Sequence, residues 1–124
     1  MKKIIFTENA PKAIGPYSQA VYYNDTLYCS GQIALDKNGT LNNQNISDEI
    51  NQIFENLNAI LNQVNMDFSN VVKSTIFLKN MNDFNTVNEI YGKFFDTNPP
   101  ARETVEVSRL PKDVNIEISI IACK

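Results

Sequence analysis

The chain reads as an α+β fold, a mixed sheet with two helices packed on one of its faces. Three observations carry that reading: two segments with helical apolar spacing, a β-branched run between them, and strict two-residue alternation in the last quarter. The 124 residues suffice for one domain, residues 1–124, and are too few for two ordinary ones.

Lys3 to Phe6 is a short apolar strand candidate. The loop that follows holds Asn9-Ala10-Pro11 and Ile14-Gly15-Pro16, whose prolines and glycine break regular structure. Segments 18–23 and 26–33 then form a hairpin around Asn24-Asp25. Leu27 and Cys29 face the core, Tyr28 and Ser30 the other side, and Gly31 permits close backbone approach or a bend. Asp36-Lys37-Asn38-Gly39 is a turn.

Across 46–64 the apolar residues fall at Ile46, Ile50, Ile53, Phe54, Leu57, Ile60, Leu61 and Val64, the stripe of an amphipathic helix. Asn45 or Ser47 caps it, with Asp48 and Glu49 in the first turn. A β-branched strand spans 71–79, and a second helix 82–95 carries Phe84, Val87, Ile90, Tyr91, Phe94 and Phe95. Its aromatic stripe is assigned to the core. Asn98-Pro99-Pro100 ends that helix and delivers the chain to a strand beginning near Arg102.

The last quarter reads as two strands joined by a turn. Val105 and Val107 share one side, and Arg102, Thr104 and Glu106 the other; Ile116, Ile118 and Ile120 oppose Asn115, Glu117 and Ser119. The element order is β-ββ-α-β-α-β-β. If both helices cover one face of the sheet, the other is left with Tyr28, Ser30, Arg102, Thr104, Glu106, Asn115 and Glu117 beside Phe77 and Ile121. Such a mixed face either meets water or packs on copies of itself. An arginine, a hydroxyl and a carboxylate on an enclosed sheet face suit a small anion. Arg102 could equally be spent in an ion pair with Glu103 or Glu106.

Composition narrows the chemistry. The chain has no histidine, which removes Ser-His-Asp and Cys-His couples, histidine metal ligands and the side chain that titrates near neutrality. Two cysteines, Cys29 and Cys123, fit reduced thiols, and no ligand spacing supports a metal site. A net charge of −3 with no basic run argues against a nucleic-acid partner held through phosphates. No apolar run reaches the roughly 20 residues of a membrane helix, and the first residues are too short for a signal peptide, so a cytoplasmic protein is expected.

Several separated motifs, in order, resemble the YjgF/RidA family of reactive intermediate deaminases. They are Ala10-Pro11, Ile14-Gly15-Pro16-Tyr17-Ser18-Gln19, Ser30-Gly31-Gln32-Ile33, Asn82-Asp83-Phe84 with Val87-Asn88, and Pro100-Ala101-Arg102 through Val105-Glu106-Val107, Arg109-Leu110-Pro111-Lys112-Asp113 and Ile116-Glu117. The resemblance implies a chorismate-mutase-like fold, a homotrimer around a central β-barrel, and ligand clefts between subunits. It implies hydrolysis of 2-imino acids to 2-oxo acids and ammonia without a cofactor. Arg102 matches the carboxylate anchor and Glu117 the group that positions or deprotonates water; Tyr17, Ser30 and Asn88 match cleft residues, and the backbone at Gly31 and Thr104 matches ligand or water contacts. Many relatives carry cysteine where this chain has Thr104, so a thiolate mechanism at that position is excluded. A binding module for small 2-oxo acids would use the same arginine. Ribonuclease or translation-inhibitor activity, attached to relatives, fits the acidic, histidine-free chain worst; a holdase activity would leave no motif to read.

Overall fold

A computed structural model describes residues 1–124. The strands are β1 (Lys3–Ile5), β2 (Ala20–Tyr23), β3 (Thr26–Cys29), β4 (Val71–Leu78), β5 (Ala101–Glu106) and β6 (Ile116–Cys123); the helices are α1 (Ile46–Asn62) and α2 (Phe84–Tyr91). They form one six-stranded mixed sheet in the order β1-β2-β3-β6-β4-β5, antiparallel except for the parallel pair β4–β5. Asn24 and Asp25 both take left-handed backbone angles (φ 48° and 57°), the requirement of the two-residue turn that matches strand twist.

Two elements are shorter than their sequence pattern. Strand β3 stops at Cys29, and beyond Gly31 only Gln32 still pairs with Ile118. Helix α2 stops at Tyr91 because Phe94 and Phe95 fold back onto α1, where Phe94 stacks on Phe54 at 4.1 Å and Phe95 meets the same ring edge-on. Aromatic burial outweighs continuation of the helix here.

The last two strands are not a hairpin. β4 lies between β5 and β6, with Ile76 opposite Thr104 on one side and Ile118 on the other. The chain crosses β4 through residues 107–115, including a 3-10 turn at Pro111–Asp113 in which Lys112 and Asp113 have positive φ.

Facing residues in register share a side of the sheet, so the buried Ile76, Leu78, Ile116, Ile118 and Ile120 define the helix-covered face. Against them α1 buries Ile50, Ile53, Phe54, Leu57, Ile60 and Leu61, each worth about 1.5–3 kcal/mol of removed apolar surface. The Asn45 side chain caps α1 by accepting from the Asp48 N–H. Cys29 packs in this core, where burial pushes its thiol up to about 12; it and Cys123 are free.

The opposite face has no helix. Register aligns Ile4, Val21, Tyr28 and Ile121 in one row across four strands, with Tyr28 48% exposed. At one end of that face Phe77 and Val107 close on Ile33, Leu35, Leu110 and Val114 as a second apolar cluster. No helix is long and apolar enough to cross a membrane.

Candidate functional site

The side assigned to Arg102 is the reverse of the sequence expectation. Arg102 stands opposite Ser74, whose hydroxyl accepts a hydrogen bond from the Tyr91 hydroxyl of α2 at 3.0 Å, so Arg102, Thr104 and Glu106 lie on the helix side. Val105, 42% exposed, lies on the bare face. The physical reason is that β5 is an edge strand and α2 has only eight residues, so the helix layer ends before it covers β5.

That open margin frames the arginine. Its guanidinium carbon lies 4.9 Å from the Tyr91 ring centroid and 5.8 Å from that of Phe84. Neither nearby carboxylate pairs with it: Glu103 bonds Lys73 at 2.8 Å, and Glu106 accepts the Met81 N–H at 2.8 Å. The only ion pairs are Lys73–Glu103 and Lys79–Asp113, which leaves the Arg102 fork without an anion. Burial pushes the Tyr91 phenol up, partly countered by its bond to Ser74 and the Arg102 charge, so it is a neutral donor at pH 7. Asn88 follows Phe84 by one helical turn and joins the same stripe as Tyr91. Thr104, on this side too, buries a hydroxyl that has no hydrogen-bond partner.

Glu117 sits on the other face, opposite Phe77. A Cβ on Gly31 would come within 2.8 Å of the Glu117 carboxyl carbon and 3.0 Å of Oε2, so the missing side chain is what lets the carboxylate lie against the strand. Half-buried and with no cation beside it, Glu117 has its pKa raised by desolvation. It shares a cleft of about 70 Å³ with Tyr17, Gly31, Pro11, Ile14 and Pro111. The Tyr17 hydroxyl accepts from the Ile14 N–H at 3.3 Å, and the Ser30 hydroxyl donates to the Ser18 carbonyl at 2.6 Å, fastening the tyrosine loop to the end of β3.

The expected residues therefore form two groups, Arg102, Thr104 and Asn88 at one sheet margin, and Glu117, Gly31, Tyr17 and Ser30 at the other face. A single chain does not bring Arg102 and Glu117 together. Asn115, expected on the bare face, instead donates its backbone N–H and its amide to Glu49, each at 2.8 Å, and Ile116 N–H donates to the same carboxylate at 3.0 Å. A groove of about 400 Å³ between α1 and the turn at 36–39 is lined almost wholly by polar side chains and includes neither Arg102 nor Glu117, whereas one of about 450 Å³ is lined by Met81, Asn82, Asn85 and the Phe84 whose ring lies near Arg102.

Three contributors escape sequence reading. Tyr91 is both a core residue and the platform under Arg102. Glu49 has a fully buried carboxylate that looks in sequence like a helix-capping acid. Gln19 accepts from Thr7 N–H at 2.7 Å and donates to the Thr7 and Pro11 carbonyls at 3.0 and 2.9 Å, holding the N-terminal loop that walls the Glu117 cleft. Its place in a Gly-Pro-Tyr-Ser-Gln run was the only available signal.

Comparison with known proteins places these features in context. The family described as Endoribonuclease L-PSP matches residues 7–124. A RutC family protein of Pyrococcus horikoshii is 51% identical over 125 residues, covering 100% of this chain and 99% of that protein. The human 2-iminobutanoate/2-iminopropanoate deaminase is 47% identical over 123 residues, 98% of this chain and 90% of that protein. The crystal structure of E. coli TdcF with bound serine superposes with a TM-score of 0.93 at 40% identity, covering 98% of both chains.

Proposed function

Because the chain belongs to the YjgF/RidA family, matched through the Endoribonuclease L-PSP description, we propose that it hydrolyses 2-imino acids such as 2-iminopropanoate and 2-iminobutanoate to 2-oxo acids and ammonia. The observation that carries this reading is the Arg102 guanidinium, held on two aromatic faces with no carboxylate partner. A planar fork of that kind receives a substrate carboxylate through two charge-assisted hydrogen bonds, each worth roughly 1.5–3 kcal/mol. The activity named for the human relative supplies the substrate class.

Arg102 and Glu117 act on one substrate only if they come from different copies of the chain. A homotrimer whose bare sheet faces enclose a central barrel meets that need, covers the Ile4–Val21–Tyr28–Ile121 row, and sets clefts between subunits. In each cleft the imine carboxylate docks on Arg102, flanked by Asn88 and the Thr104 backbone, while Tyr17, Ser30 and Gly31 line the side that brings Glu117. Glu117 takes a proton from water as the water oxygen bonds to the imine carbon and the C=N pair moves to nitrogen. Returning that proton to nitrogen gives the neutral carbinolamine; Glu117 then passes the hydroxyl proton to the amine, so that ammonia leaves with the C–N electron pair as the carbonyl closes. Acid–base assistance of about 10²- to 10⁴-fold suffices for an already electrophilic carbon, with no cofactor. An endoribonuclease reading is disfavoured by the net charge of −3, the lack of a basic run and the absence of histidine.

A second reading, binding of a small acid without turnover, is favoured by the serine bound in the related TdcF structure. Release of ammonia and 2-oxo acid from enzymatically generated imines, with semicarbazide trapping the survivor, separates the two. Hydrolysis faster than the uncatalysed rate and lost in Arg102→Ala is expected. Binding of 2-oxobutanoate with no acceleration would replace hydrolysis with the binding reading.

A further inference from the structure

The Arg102 guanidinium lies against aromatic rings and has no carboxylate partner. Glu103 points to the opposite face and pairs with Lys73, Glu106 lies four residues along the strand and accepts the Met81 N–H, and the surface toward which Arg102 turns is aromatic. An arginine on an edge strand has several rotamers within reach of solvent. What restricts this one is the Tyr91 ring at 4.9 Å.

Tyr91 is in turn held at three points. Its ring tilts against Phe95 at 4.7 Å and meets Phe54 edge-on at 5.9 Å, which ties it to α1. Its hydroxyl donates to Ser74 Oγ at 3.0 Å, and Ser74 is fully buried in β4 directly opposite Arg102. The three residues thus close a loop: the strand partner of Arg102 anchors the hydroxyl of the ring that carries the Arg102 charge.

Resting on the carboxylate role of Arg102 proposed above, we propose that Tyr91, keyed by Ser74, is the positioning residue that holds the Arg102 guanidinium aimed at the incoming anion. A ring anchored at its far end presents a fixed π face, so the guanidinium loses little freedom when the anion binds. The aromatic platform also favours a planar arginine over a lysine at this position.

The test uses the full chain in Tyr91→Phe, Tyr91→Leu and Ser74→Ala forms, each checked for folding by thermal melting. Two quantities are read: the hydrogen-exchange and rotation rates of the Arg102 guanidinium by nitrogen-15 NMR, and the affinity ratio between 2-oxobutanoate and its neutral amide. Tyr91→Leu should speed guanidinium rotation and lower the acid-to-amide ratio about tenfold. Tyr91→Phe and Ser74→Ala should each lower it about threefold, with no further loss in the double variant, since both break one hydrogen bond. Unchanged rotation and ratio in the folded variants would overturn the proposal. Should Tyr91→Leu not fold, the other two variants decide it by the same readouts. If the wild-type chain binds neither acid nor amide, the functional reading falls, while the guanidinium rates still decide whether Tyr91 positions Arg102.

Discussion

Gly31 and Glu117 occupy each other's space: the position a Cβ would take on residue 31 is 2.8 Å from the Glu117 carboxyl carbon. The glycine has no left-handed backbone to justify it, so its role is the room it leaves. Gly31→Ala should push the carboxylate out of its cleft. Because the atom displaced is the end of a side chain, the cost in stability should be only about 1 kcal/mol, while imine hydrolysis should fall at least about tenfold. Melting curves beside rate measurements check this; equal rates would mean that the carboxylate's seat is irrelevant to the chemistry.

Glu117 carries a pH signature. Desolvation raises its pKa in the folded chain above that of an exposed glutamate. Between those two values the folded state binds more protons than the unfolded state, so this group's contribution to stability falls as pH rises through its folded pKa. Glu117→Gln should therefore melt higher than the wild type near pH 7 and lose that advantage near about pH 4, where both side chains are neutral. The acidic limb of the wild-type kcat/KM profile, which reports the free enzyme, should lie above the usual carboxylate range and vanish with the substitution. A wild-type limb in the ordinary range would assign the base elsewhere.

Glu49 makes a separate, purely structural forecast. Its carboxylate accepts three hydrogen bonds from Asn115 and Ile116 at the start of β6, and it has no exposed surface. Glu49→Ala leaves those donors without an acceptor and should cost about 3 kcal/mol in urea unfolding. Glu49→Gln keeps one accepting oxygen and should cost about half as much. Losses within about 0.5 kcal/mol for both would show that water replaces the carboxylate freely.

The parts of this fold that sequence makes legible are those governed by one local rule. The stripe from Ile46 to Leu61 and the cap at Asn45 follow from helical period and capping chemistry, and Asn24-Asp25 from the turn's need for positive φ. Arg102, Thr104 and Glu106 share a side, as alternation requires, but which side is fixed by the pairing of β5 with β4, which sets Arg102 opposite Ser74 and Thr104 opposite Ile76. The apparent hairpin of β5 and β6 failed for a similar reason: nine intervening residues suffice to step across a third strand. Arg102 and Glu117 were identified by resemblance, whereas their opposite placement depends on the register of β4, which no local pattern reports.

The separation of Arg102 and Glu117 across the sheet makes subunit mixing the most direct test of a shared cleft. Arg102→Ala and Glu117→Ala chains, each inactive alone, would be unfolded together, refolded at equal amounts, and assayed for imine hydrolysis. Random assembly places an intact Arg102 against an intact Glu117 in roughly a quarter of the clefts of a cyclic homotrimer, so roughly a quarter of wild-type activity should return. Mixed assemblies that remain as inactive as their parents would contradict a site built from two copies of the chain.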